Sequence, residues 1–140
     1  MAFSQYFATQ ILNWVKSSPF PTAPTEVYIS LHTTDPGTAG TSGDVTNTIT
    51  GSTNRTQILS SAFGAIAGAS GGGFEVKNTG VVQLTTTASN TSPITVTHFG
   101  VWDSVTAGNF LASGALTSSV DVELGDTVQF NIDALAIRVV

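Results

Sequence analysis

Acid–base and metal chemistry near neutral pH falls first to histidine, and this chain has two, His32 and His98. Neither sits in a metal-ligand spacing. His32 stands three residues before Asp35 at the edge of a turn, where a His and an Asp make a local hydrogen bond more readily than a cation site. His98 has the strand parity of Ile94, Val96 and Trp102, so it is expected to be a hydrogen-bonded structural histidine unless a bulge rotates it outward. A serine nucleophile would have to be activated by one of these two rings, and an abundance of serine does not supply that. Asp121 and Glu123 alternate with Val120, Val122 and Leu124, the pattern of a solvated strand face rather than of paired catalytic carboxylates. Gly71-Gly72-Gly73 is not followed by the Lys and Ser or Thr that reach phosphate and magnesium. No catalytic residue, cofactor or metal is therefore expected.

Charge excludes another class. Lys16, Arg55, Lys77 and Arg138 are the only cationic side chains besides histidine, they form no cluster, and the net charge is −5. Nucleic acid requires a basic stripe to displace phosphate counterions, so no such partner is expected. Cysteine is absent, which removes disulfides and thiolate chemistry. No run of 18 or more apolar residues could cross a membrane, and the opening residues lack the basic and apolar segments of a signal peptide. The matches of Asn54-Arg55-Thr56 and Asn90-Thr91-Ser92 to a glycosylation sequon then carry little weight.

The elements that would hold these side chains are mostly strands. Only the N-terminus has helical period, over Phe3 to Lys16: Phe3, Phe7, Ile11, Trp14 and Val15 form an apolar stripe, with Gln5, Thr9, Asn13 and Lys16 opposite. Ser4 is placed to cap it, and Pro19 and Pro21 to end it. Phe3, Phe7, Ile11 and Trp14 are candidate assembly contacts, whether the helix lies on its own sheet or docks on a neighbouring subunit. Val27, Ile29 and Leu31 then alternate with Tyr28, Ser30 and His32 as in a half-buried strand. Asp35-Pro36-Gly37 is turn chemistry opening a long polar loop to about Asn54. A strand is expected around Ile58 and Leu59, and a flexible connector from Ala65 to Gly73. Further strands follow at Phe74–Val76, Val81–Leu84, Ile94–Trp102 and Phe110–Leu116.

Val120, Val122 and Leu124 and then Val128, Phe130 and Ile132 look like a hairpin. A three-residue loop would set Leu124 against Val128 and Val122 against Phe130. Leu135, Ile137 and Val139 complete the pattern. The fold class expected is mainly β, an antiparallel β-sandwich or jelly-roll-like domain with one N-terminal α-helix, as a single domain over 1–140 with an arm at 1–18. Trp102 beside Asp103 is a candidate exposed aromatic pair, able to stack on sugar if it faces solvent, and otherwise a core tryptophan at a strand end.

Apolar residues make up 41% of the chain against 9% charged, so its surface rests on hydroxyls and amides, which suit packing against other subunits better than charges do. Homo-oligomerisation is expected. The segment from Pro24 to Gly37, PTEVYISLHTTDPG, the block HFGVWD at 98–103, Gly108-Asn109-Phe110-Leu111, Gly114-Ala115-Leu116 and Leu124-Gly125-Asp126-Thr127 together resemble a family of small tailed-bacteriophage virion structural proteins, often labelled tail fibre proteins. The resemblance implies a place in the virion, non-enzymatic, with the major capsid protein or other virion subunits as partners. Fibres reach far through repeats or heptads, and the chain has no repeat. A capsid decoration, or cement, protein bound to the outer lattice is therefore the first expectation. The alternative is a tail, collar or tail-fibre component, with or without a glycan-binding tip.

Overall fold

The computed structural model describes residues 3–139. The first and last residues of the expected arm and final strand, Met1, Ala2 and Val140, lie outside them.

Helix α1 (Gln5–Val15) begins where a cap is available: Ser4, buried, accepts the Phe7 amide on its Oγ at 3.1 Å. It ends before the prolines. Ser17 takes a left-handed φ of 68°, and the Ser17 and Ser18 amides return to the Trp14 and Asn13 carbonyls. That is a Schellman turn made with serine in place of glycine. The turn folds the chain back and sets Phe20 on Trp14, ring centroids 6.0 Å apart.

Among the described residues nine strands, one further short α-helix and a single 3-10 turn at Ser60–Ala62 follow: β1 (Glu26–His32), α2 (Thr46–Thr50), β2 (Thr56–Leu59), β3 (Ala67–Gly68), β4 (Phe74–Lys77), β5 (Val82–Thr87), β6 (Ile94–Trp102), β7 (Phe110–Val122), β8 (Thr127–Phe130) and β9 (Ala136–Val139). They form antiparallel sheets ordered β2-β1-β6-β7, β3-β4-β9 and β5-β8. The mainly β, sandwich-like architecture with an N-terminal helix is the one the sequence implies.

Register explains the core. Ile29 opposes Val101 and Leu31 opposes Phe99 across β1 and β6, so four apolar side chains share one face. They pack with Val82 and Leu84 of β5, Val128 and Phe130 of β8, and Leu135 in a single buried cluster. The opposite face of the same ladder pairs Tyr28 with Trp102, Ser30 with Gly100 and His32 with His98. This face was expected to be solvated, yet Ser30 and His32 are fully buried.

Three expectations need correction. The long loop after Asp35 is ordered along β1: Val45 donates to the Leu31 carbonyl, Leu31 donates to Thr46 Oγ1, and α2 carries the fully buried Ile49. The connector from Ala65 to Gly73 contains β3, paired with β4. The C-terminal hairpin does not form, since β7 pairs with β6 (Val122 against Ile94) and β8 with β5 (Phe130 against Val82). The turn between β7 and β8 is tied elsewhere: the Gly125 amide donates to Ala88, and the Ala88 amide donates to Asp126. Leu124 and Ile132, placed inside by the hairpin register, are exposed.

Candidate functional site

Residues on one strand two apart point the same way, so Ser30 and His32 face Trp102 across the ladder together. His32 Nδ1 lies 2.8 Å from the Ser42 carbonyl, which can only accept, so Nδ1 carries the proton. Nε2 then accepts from Ser30 Oγ at 2.7 Å, and Ser30 Oγ accepts from Trp102 Nε1 at 2.9 Å. Every polar atom of this buried chain is satisfied with a neutral imidazole. Gly100 makes room for it, because a Cβ there would lie 2.4 Å from Ser30 Oγ. His32 does not meet Asp35, whose Oδ1 instead accepts the Gly37 amide at 2.8 Å. Among the described residues no three metal-ligating side chains converge.

Burial lowers the pKa of His32 below its usual 6.5, opposed by the Ser42 carbonyl and Asp44. Its folded form therefore resists protonation while the unfolded chain takes up a proton, and stability falls as pH drops below about 6.5. Chemical denaturation between that pH and the carboxylate range is expected to show a declining midpoint, and His32→Gln to flatten the slope. An unchanged slope in the variant would assign the effect to another group. Glu75 adds a second loss at lower pH: Lys77 at 2.9 Å and Arg138 at 2.6 Å hold its carboxylate below its usual range.

Trp102 is 8% exposed, which corrects the expectation of an exposed aromatic pair. Phe110 packs on the ring at 5.2 Å between centroids, and the Arg55 guanidinium stacks 3.7 Å from the ring centre. Arg55 Nη1 also donates to the Ser104 and Ala107 carbonyls, so it clamps the loop after β6 onto the tryptophan. Asp103 is half-buried and closes that loop, accepting from the Asn109 amide and Asn109 Nδ2, both at 2.7 Å. The sequence signal for Arg55 was slight, a lone cation in a polar stretch.

The α1 stripe divides. Phe7 and Ile11 are half-buried, and Tyr6 and Phe7 pack against the core. The Gln5 amide ties the first turn to the Thr38 carbonyl. At the C-terminal end of the helix, past Ile11, the apolar side chains face outward: Leu12 is 65% exposed, Trp14 60% and Val15 69%, with Phe20 beside Trp14 and Phe3 exposed at the other end. Leu12 and Phe20 were not singled out from sequence, Leu12 because it lies off the stripe and Phe20 because only the Schellman turn returns it.

Gly68-Ala69-Ser70-Gly71-Gly72 spells the Gly-x-Ser-x-Gly pattern, yet it links two strands rather than a strand to a helix, and no hydrogen bond joins Ser70 to His98. What the geometry offers is an ordered β scaffold with an outward apolar helix end. A family model described as "Podophage GP4 fiber I protein gp80" matches residues 2–138. The chain belongs to this family. No curated protein matches it. As a member of the gp80 fibre family it is a phage virion structural protein, in line with the resemblance carried by the 24–37 and 98–103 blocks. Among the described residues no helix is long and apolar enough to cross a membrane.

Proposed function

We propose that this protein is a non-enzymatic fibre component of a podophage-type virion rather than a capsid cement protein, and that it folds as one domain. The fibre family match across nearly the whole chain carries this reading. The absence of a repeat, which first favoured decoration, is compatible with a fibre when the chain is a compact node or terminus and other subunits supply the reach. Attachment runs through the α1 end: Leu12, Trp14, Val15 and Phe20 form an apolar surface on a helix whose first turn is fixed to its own domain. Exposed apolar clusters of this kind mark interaction sites, and their occupant here is another virion subunit or a second copy. Labelling purified particles with gold-conjugated antibody tests the location, with label on fibres expected. Label spread evenly over the capsid, at a copy number of hundreds by mass spectrometry, would restore the decoration reading.

Attachment has its own test. Leu12→Ser, Trp14→Ser and Val15→Ser combined should change folding stability little, because exposed positions usually shift it by no more than about 0.5 kcal/mol each. The same protein, supplied in trans to phage lacking the gene, should lose at least about tenfold in particle incorporation, since apolar anchors dominate interface energies. Wild-type incorporation would remove α1 from the interface.

A further inference from the structure

A cleft opens where the bulged middle of β7 meets β9. Between Val96 and His98 the β6–β7 register jumps from Val120 to Ala115, so β7 bows away from β6. The displaced segment bridges to Leu135 instead. The resulting hollow holds about 410 Å³ and is lined by Asp35, Ser70, His98, Ala115, Thr117 and Arg138, among others. Gly114 forms part of its floor, where a Cβ would stand 2.4 Å from the Ala136 carbonyl and 2.8 Å from the Phe99 ring. The volume falls within the range of small-ligand sites.

The polar groups at the rim are oriented by bonds outside it. Thr97 Oγ1 donates to the Thr33 carbonyl and so accepts from His98 Nδ1, at 2.8 Å in each case. This fixes Nδ1 as the donor, so that the neutral ring presents Nε2 to the cleft as a hydrogen-bond acceptor. Arg138 uses Nε on Glu75, leaving its Nη groups as donors. Glu75 is shared with Lys77, so this trio keeps one net positive charge. Asp35 engages Oδ1 with the Gly37 amide, leaving Oδ2 as an acceptor. Ser70 and Thr117 add hydroxyls that can do either.

The cleft thus presents two acceptors, a fork of donors and balanced charge. An anion would meet Asp35 and a cation would meet Arg138. A neutral ligand that both donates and accepts at several closely spaced atoms satisfies all of them, and that is the chemistry of a saccharide. We infer that this cleft is a saccharide-binding site, distinct from Trp102 and from the α1 surface. The inference stands apart from the fibre reading, since it concerns the isolated domain. No aromatic platform lines the hollow, so single-site affinity is weak, with a dissociation constant on the order of 1 mM. Repetition of the site across a multi-copy particle would raise avidity well above that.

Amide NMR titration of the full-length protein with methyl α-D-glucopyranoside, methyl β-D-galactopyranoside and N-acetylglucosamine tests it. At least one is expected to give saturable shifts confined to the segments around 35, 70, 98, 113–117 and 136–138. Ala115→Leu, at an exposed cleft position, should weaken the shifts at least about fivefold while leaving the thermal midpoint in place. Arg138→Gln, which also loses Glu75, should do the same with some loss of stability. Shifts that map elsewhere, binding unaffected by Ala115→Leu, or no saturable shift with any of the three sugars would overturn the site. None of those outcomes bears on where in the virion the chain resides.

Discussion

Asn78→Ala is expected to lower folding stability by about 3–5 kcal/mol, because it leaves the buried Leu135 amide without its acceptor, removes two further part-buried bonds and opens a cavity at a fully buried site. Asn78 is fully buried between β4 and β9. Its Nδ2 donates to the Gly80 carbonyl at 2.7 Å and the Asn131 carbonyl at 2.9 Å, and its Oδ1 accepts the Leu135 amide at 2.9 Å. Its backbone closes the same knot, donating to Leu135 and accepting from Asp133. One side chain therefore fastens the turn before β9 to the end of β4, and no other residue reaches all three groups. For a chain of this size the loss corresponds to a drop of about 10–20 °C in thermal midpoint. Asn78→Asp keeps the acceptor for Leu135 but sets a carboxylate against two carbonyl oxygens. It should be at least as harmful at neutral pH and recover part of the loss on acidification, when its protonated form can donate once. A loss below about 1 kcal/mol in the alanine variant would mean that water reaches the site and replaces the amide.

Asn78 also shows what a linear reading misses. From sequence it sits in an Asn-Thr-Gly stretch that signals a turn, and nothing local says that its amide spans to residues 131 and 135. The helix was legible because its determinants are local: a cap at Ser4, an apolar period, and a stop near Ser17. The parity of β1 was legible for the same reason; that of β6 was not, because Val96 lies in the core with Phe99 and Val101 while His98, expected on the face of Val96, pairs with His32 on the opposite face. The C-terminal hairpin failed because local complementarity of Val122 with Phe130 competes with distant partners. β7 finds β6, and β8 finds β5, through a turn pinned by Ala88. Helix α2 went unseen because Thr46–Thr50 is a single turn of poor helix formers, held by the burial of Ile49 and by Thr46 rather than by propensity. His98 turned on the one alternative that parity left open, an irregularity in the ladder: between Val96 and His98 the partner on β7 jumps from Val120 to Ala115, which no local pattern announces. The cleft draws on residues 35, 70, 98 and 138, whose proximity belongs to the fold and to no stretch of sequence.

Trp102→Ala is expected to cost about 3–5 kcal/mol, the range for truncating a buried large aromatic. Loss of packing on Phe110 is one part of this. The variant also removes the donor to Ser30 Oγ and the surface on which Arg55 stacks. Arg55 holds the Ser104 and Ala107 carbonyls, so the loop after β6 should loosen, seen as faster amide exchange over 104–109. Trp102→Phe separates these contributions. It keeps a ring for Arg55 and Phe110, and Ser30 can still donate to His32, so a loss of about 1–2 kcal/mol is expected. Fluorescence gives an independent measure. Trp14 is 60% exposed and Trp102 is 8% exposed, so acrylamide should quench one fraction of the emission readily and spare the other. The spared fraction should disappear in Trp102→Phe, and no sugar should alter it in the wild type. A Trp102 signal that is readily quenched and that responds to saccharide would return this ring to the role of an exposed stacking platform. A shielded, unresponsive one leaves it as the post around which β1, β6 and the Arg55 loop are held.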